Sequence, residues 1–285
     1  MPYRARSKSS AVGQTVRVDE QPVRVDEQTV QTDDRPRVLR NEILLVLGVS
    51  LGASAAYSVV SLLAKLTAQR ALSQQTTALN TSLAPGRPWL DFTYQLMAIC
   101  FGIVPALLAV HLMNRGPGGA RGLLGLTWPT PRRLGVDLAY GAGLAALIGI
   151  PGLGLYLLAR ELNINTIVAP ANLPPVWWAV PVLILAAAQN AVLEEVVVVG
   201  YLINRLREIG FRAWHAVAAS ALLRGSYHLY QGFGAFVGNA VMGAIFGLFF
   251  ARTRRVLPLV VAHALLDIVA YLGYAALKDR FGFLS

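Results

Sequence analysis

The stretch NAVLEEVVVVGYL, residues 190–202, sets two adjacent carboxylates, Glu194 and Glu195, inside a valine-rich run that is otherwise soluble in hydrocarbon. It lies in one of several long apolar runs, and coarse spans are expected at 43–65, 90–113, 136–159, 176–203, 213–230, 233–251 and 256–277. At about 1.5 Å of helical rise per residue, runs of this length suit roughly 30 Å of hydrocarbon. The 285 residues are 55% hydrophobic and only 14% charged, with a mean hydropathy of +0.52, unlike a soluble domain. The expected fold is all-α, a polytopic transmembrane helix bundle of about seven spans, with breaks suspected in the third and fifth. Allowing for those breaks, the range is about six to eight.

Charge then orients the bundle. Only Lys8, Lys65 and Lys278 among the 25 basic residues are lysines, and most arginines outside the tail fall in short loops. Arg37, Arg40, Arg115, Arg121, Arg132, Arg133, Arg205, Arg207, Arg212, Arg252, Arg254 and Arg255 all sort to one side, which the positive-inside rule makes cytoplasmic. The net charge of +10 therefore reads as membrane topology rather than nucleic-acid binding. The expected setting is a multi-pass cell-membrane protein with a cytoplasmic N-terminus and the lipid bilayer as partner. The 66–89 loop and the C-terminal "KDR" weaken this pattern. Residues 1–40, with the near-repeats "TVRVDEQ" and "PVRVDEQ" starting at Thr15 and Pro22, read as a disordered charged tail before a membrane domain over 41–285. No signal-peptide pattern precedes the first span, and the lone Cys100 gives neither a disulfide framework nor a cysteine zinc site.

Ionisable groups at bilayer depth cost about 2.5–3.5 kcal/mol each, so the few that persist mark a function or a paired network. They are Glu194 and Glu195 in the fourth run, Arg224 and His228 in the fifth, and His263 and Asp267 in the seventh. Counting helical rise inward from the loop arginines puts Glu194, His228, His263 and Asp267 at roughly 16, 24, 12 and 18 Å, one layer within error. Arg224 with His228, and His263 with Asp267, are four apart and share helix faces. Glu194 and Glu195 point about 100° apart, so they take different jobs. A carboxylate and imidazoles converging in this way suit activation of a water, with or without a metal. Two histidines plus carboxylates also match a catalytic metal's ligand set, although no H-E-x-x-H is present.

"EEVVVVGYL", then "SYH", then "HALLD" resemble the three ordered motifs of the CPBP intramembrane metalloproteases, the CAAX-protease and bacteriocin-processing (Abi) family, over about residues 120–277. The resemblance implies that Glu194 activates the water with support from Glu195, that His228 completes the water or metal site, and that His263 and Asp267 stabilise an oxyanion. It implies an endopeptidase acting in or near the membrane on a membrane peptide or protein, in some relatives after a prenylated cysteine. A divalent metal, zinc by preference, would be held by Glu194, His228 and His263.

Two positions depart from the family pattern. Val199 stands where an arginine is expected, four residues past Glu195, and Arg224 stands where a phenylalanine is expected, four before His228. Arg224 is therefore expected to supply Glu195 with its cation from a neighbouring helix. A proton-coupled transporter and a catalytically silent scaffold are the competing readings, since Glu, His and Asp at mid-depth also make proton relays. His111 and His215 read as interfacial, Ser226 as helix packing, and Gly238, Gly243 and Gly247 as sites of close helix approach.

Overall fold

The computed structural model describes residues 27–126 and 130–277, with side chains from Asp34 onward. The repeats at Thr15 and Pro22, Trp128, and the end from Lys278 lie outside the described residues. The chain divides into two units, Met1–Arg35 and Pro36–Ser285, and of the first only the opening of helix α1 (Glu27–Gly48) is described.

Helix α1 opens inside the segment read as tail and runs through Pro36 into the first apolar run. Leu39, Ile43 and Val46, spaced i, i+4, i+7, bury one helical face. The expected span 43–65 is not one rod. The chain bends by 53° between Asp34–Gly48 and α2 (Leu51–Leu66), where the Ser50 hydroxyl donates back to the Val46 carbonyl at 2.5 Å. A short strand β1 (Thr76–Ala78) follows, then α3 (Pro88–Gly102) and α4 (Val104–Asn114), which together form one span. After α5 (Gly119–Leu123), α6 (Pro131–Glu161) runs unbroken for 31 residues, so the break suspected in the third run is absent even with Pro151 inside it.

Strand β2 (Ile167–Ala169) precedes a composite span, Ala179–Glu208. Its parts are α7 (Ala179–Glu194), a π-helical segment (Glu195–Tyr201) and α8 (Leu202–Glu208). Three helices complete the bundle: α9 (Ala213–Tyr227), α10 (Phe233–Thr253) and α11 (Leu257–Leu277).

Among the described residues, five helical stretches are long and apolar enough to cross a membrane, and the bent α1–α2 pair makes six if taken as one span. The expected seventh, 213–230, is the difference. Helix α9 has 15 residues, about 22 Å of rise, and stops at Tyr227 because Leu229–Gln231 tighten into a 3₁₀ turn and Gly232 turns the chain at φ +122°.

The π segment lies at the centre of the bundle. Val197, Val198, Val199 and Tyr201 are fully buried against residues that include Met113, Phe246, Phe250 and Leu259. Helix α9 packs along α10, while α11 packs on α6 and α7. Gly243 permits the first of these contacts, since a Cβ there would sit 2.9 Å from the Ala221 backbone and 3.1 Å from the Arg224 side chain. Outward faces carry exposed apolar residues such as Leu147, Ile150 and Leu153, as a lipid-facing surface requires.

The two strands, absent from the all-α expectation, pair in parallel with Thr76 opposite Ile167. They belong to a polar knot. Lys65 Nζ donates to Thr77 Oγ1 and to the Tyr230 carbonyl, both at 2.5 Å, Thr77 meets Thr166 at 2.7 Å, and the Tyr230 amide donates to Ser58 at 2.6 Å. The turn after His228 is thereby tied to α2, to β1 and to Thr166 just before β2.

Candidate active site

The polar centre is built from Glu194 at the last residue of α7, Glu195 at the first of the π segment, Arg224 on α9, and His263 and Asp267 on α11. Glu194 is 3% exposed, and Glu195 and Arg224 are 0% exposed, so their charges must be answered within the protein. Glu195 Oε1 takes two partners from two helices: Arg224 Nη2 at 2.5 Å and His263 Nδ1 at 2.7 Å. Glu194 Oε2 accepts from the Tyr227 hydroxyl at 2.6 Å and lies 3.6 Å from Arg224 Nη1. One guanidinium thus faces both carboxylates, and the Phe246 ring, 5.5 Å away, backs it as a cation–π surface.

His263 is held from both sides, with Nε2 3.7 Å from Asp267 Oδ2. Asp267 Oδ2 in turn accepts from Asn190 and from Tyr271, each at 3.1 Å. His228 occupies the C-cap of α9, not its interior. Among the described residues it makes no hydrogen bond to Glu194, Glu195 or His263. It does interact electrostatically with Glu194, and its ring lies 4.9 Å from that of Tyr227. Its Nδ1 is 3.4 Å from Gln231, and its buried Nε2 has no partner among the described residues, nor has Glu195 Oε2.

Tyr227, Asn190 and Tyr271 were not singled out in the sequence, yet a signal was present. Asn190 precedes Glu194 by four, and Tyr271 follows Asp267 by four, the same spacing that marks His263 with Asp267. Tyr227 had only its place beside His228.

The expected metal ligands, Glu194, His228 and His263, do not fit a dication as they stand. No three His, Cys, Asp or Glu groups among the described residues could hold a metal ion. Both His263 nitrogens are turned toward carboxylates, and a guanidinium already occupies the position from which Glu194 and Glu195 would be neutralised.

The bundle and its centre define a multi-pass helical membrane protein in which elements distant in sequence assemble one buried polar site. Residues 176–269 match the family described as Type II CAAX prenyl endopeptidase Rce1-like. Glu194, Glu195, Arg224, His228, His263 and Asp267 all lie within the matched segment. Neither a curated protein nor a solved structure matches the chain.

Proposed function

We propose that the protein is a glutamate-dependent intramembrane endopeptidase that cleaves a peptide bond in or near the bilayer of the cell membrane, its N-terminus cytoplasmic. The observation that carries this reading is the convergence of α7, α9 and α11 on one buried cluster with an unpartnered imidazole nitrogen, His228 Nε2, at its edge. A buried polar atom without a protein partner is suited to a water or a substrate group.

In the proposed reaction, Glu194 accepts a proton from a water that His228 helps to hold, and the hydroxide attacks the scissile carbonyl carbon. His263 Nε2, at 3.7 Å too far from Asp267 to hydrogen-bond to it, donates to the developing oxyanion while Glu195 holds Nδ1. The tetrahedral intermediate then collapses, the C–N bond breaks, and Glu194 returns its proton to the leaving amine. Arg224 pairs with Glu195 and holds it against His263, so that the two carboxylates take different roles in one site. The family description makes a prenylated C-terminal peptide the first substrate to try.

Cleavage of such a peptide, with and without its lipid, by the purified protein tests the reading. Glu194→Ala and His228→Ala are expected to lose at least 100-fold in kcat. Wild-type cleavage that survives both substitutions would refute the assignment. Chelator is expected to leave the rate unchanged within about twofold, because the acid–base step is assigned to side chains alone. Loss on chelation with recovery on added zinc would return a metal to the site.

A further inference from the structure

A second polar feature lies at the arginine-bearing end of the bundle, and the reaction proposed above does not use it. An open cleft of about 430 Å³ is lined by Leu123, Asn204, Arg207, Glu208 and Arg254. Its one carboxylate is already engaged. Arg205 Nη1 holds both oxygens of Glu208 at 3.0 Å, while Arg205 Nε binds Glu42 at 2.8 Å. The two remaining guanidiniums, Arg207 and Arg254, face the cleft without an ion pair among the described residues.

Arg254 is also held in position. Its Nη2 donates to Asn204 Oδ1 at 2.5 Å, and its guanidinium lies 5.2 Å from the Phe250 ring centre. Its backbone is left-handed, φ +56°, an uncommon state for a residue with a side chain. The turn is fixed from the other side by Gly125, also at positive φ, where a Cβ would meet the Arg254 carbonyl at 2.2 Å. Val256 donates its amide to the Leu124 carbonyl beside it, at 3.1 Å. Burial, and then the neighbouring Arg207, lower the pKa of Arg254 from that of a free arginine, as two cations sharing one space require.

We propose that this cleft binds a phosphate group, with Arg207 and Arg254 as its two cationic arms. Paired guanidiniums present several N–H donors to phosphate oxygens, and an anion between them removes their mutual repulsion. The cleft opens beside the ends of α8 and α10, at the level where lipid headgroups meet a bundle of this kind. The phosphate is therefore supplied either by an anionic lipid headgroup or by a free phosphate ion.

The test is the thermal unfolding midpoint of the full chain in neutral detergent. It is measured with phosphatidylglycerol, with diacylglycerol as a phosphate-free lipid, and with inorganic phosphate against chloride at matched ionic strength. A ligand that binds the folded state raises the midpoint in proportion to its affinity. Protection by phosphatidylglycerol but not by diacylglycerol or phosphate assigns the lipid source, and protection by inorganic phosphate assigns recognition of the free ion. In either case Arg207→Gln and Arg254→Gln should weaken the apparent affinity about tenfold, while the exposed Arg252→Gln, outside the cleft, retains it. The Arg207 side chain makes no hydrogen bond among the described residues, so its variant remains readable if Arg254→Gln does not fold. No protection, or protection equal in wild type and Arg207→Gln, would overturn the proposal.

Discussion

Glu195 and Arg224 form a contact whose partners lie 29 residues apart in the chain and on different elements. Removing either takes from the other its shortest ion pair in a fully buried position, leaving Glu195 only His263 and Arg224 only the 3.6 Å contact to Glu194, and loss of such a buried partner typically costs about 3–5 kcal/mol. Arg224→Leu and Glu195→Gln should each lower stability and cleavage strongly, and the double change should cost less than the sum. A thermodynamic cycle on unfolding in detergent, read alongside kcat, checks this, and strictly additive losses would show that the two do not act as a unit. The residues of this cluster were legible because charge is rare in the spans: six ionisable side chains at one depth stand out against valine and leucine. Tyr227, Asn190 and Tyr271 were less visible because tyrosine and asparagine are ordinary in membrane helices and acquire meaning only when a carboxylate is found beside them.

At the scale of the elements, the π segment and α9 set where those side chains can go. Ser220 on α9 donates to the Val198 carbonyl of the π segment at 2.8 Å and joins the two. The α9–α10 contact is equally tight. Gly243→Ala would press a methyl into the Ala221 backbone and the Arg224 stem, an overpacking worth about 1–3 kcal/mol. Stability and cleavage should fall together in that variant, and a drop in the unfolding midpoint with an unchanged kcat would separate α9 packing from the site. Of this local geometry, the close approach at Gly243 and a break in the fifth run were readable beforehand, whereas the π segment and the position of the break were not. The apolar run 213–230 continues through Leu229 and Tyr230 as if helical, and it is the loop contacts to Tyr230 and Gln231 that end the helix at Tyr227.

Over the whole molecule, the class of fold followed from hydropathy alone, whereas the span count did not, because length and apolarity do not say whether a helix crosses fully or stops midway. The polar knot at the strand-bearing end shows what the interrupted crossing requires: Lys65 gathers α2, β1 and the turn behind His228. Lys65→Met removes two charge-assisted hydrogen bonds and should destabilise the fold by about 1.5–3 kcal/mol. Limited proteolysis should then cut first in the 66–89 loop, and an unchanged cleavage pattern would show that the knot is dispensable. The position of the cation has a further consequence for how the protein is made. Were the arginine on the same helix as Glu195, that helix could enter the bilayer already neutralised. With Val199 in its place, the carboxylate waits until α9 has been synthesised and has docked. The span that carries Glu195 thus depends on a later one for its cation, and a chain stopped before Arg224 lacks that ion pair.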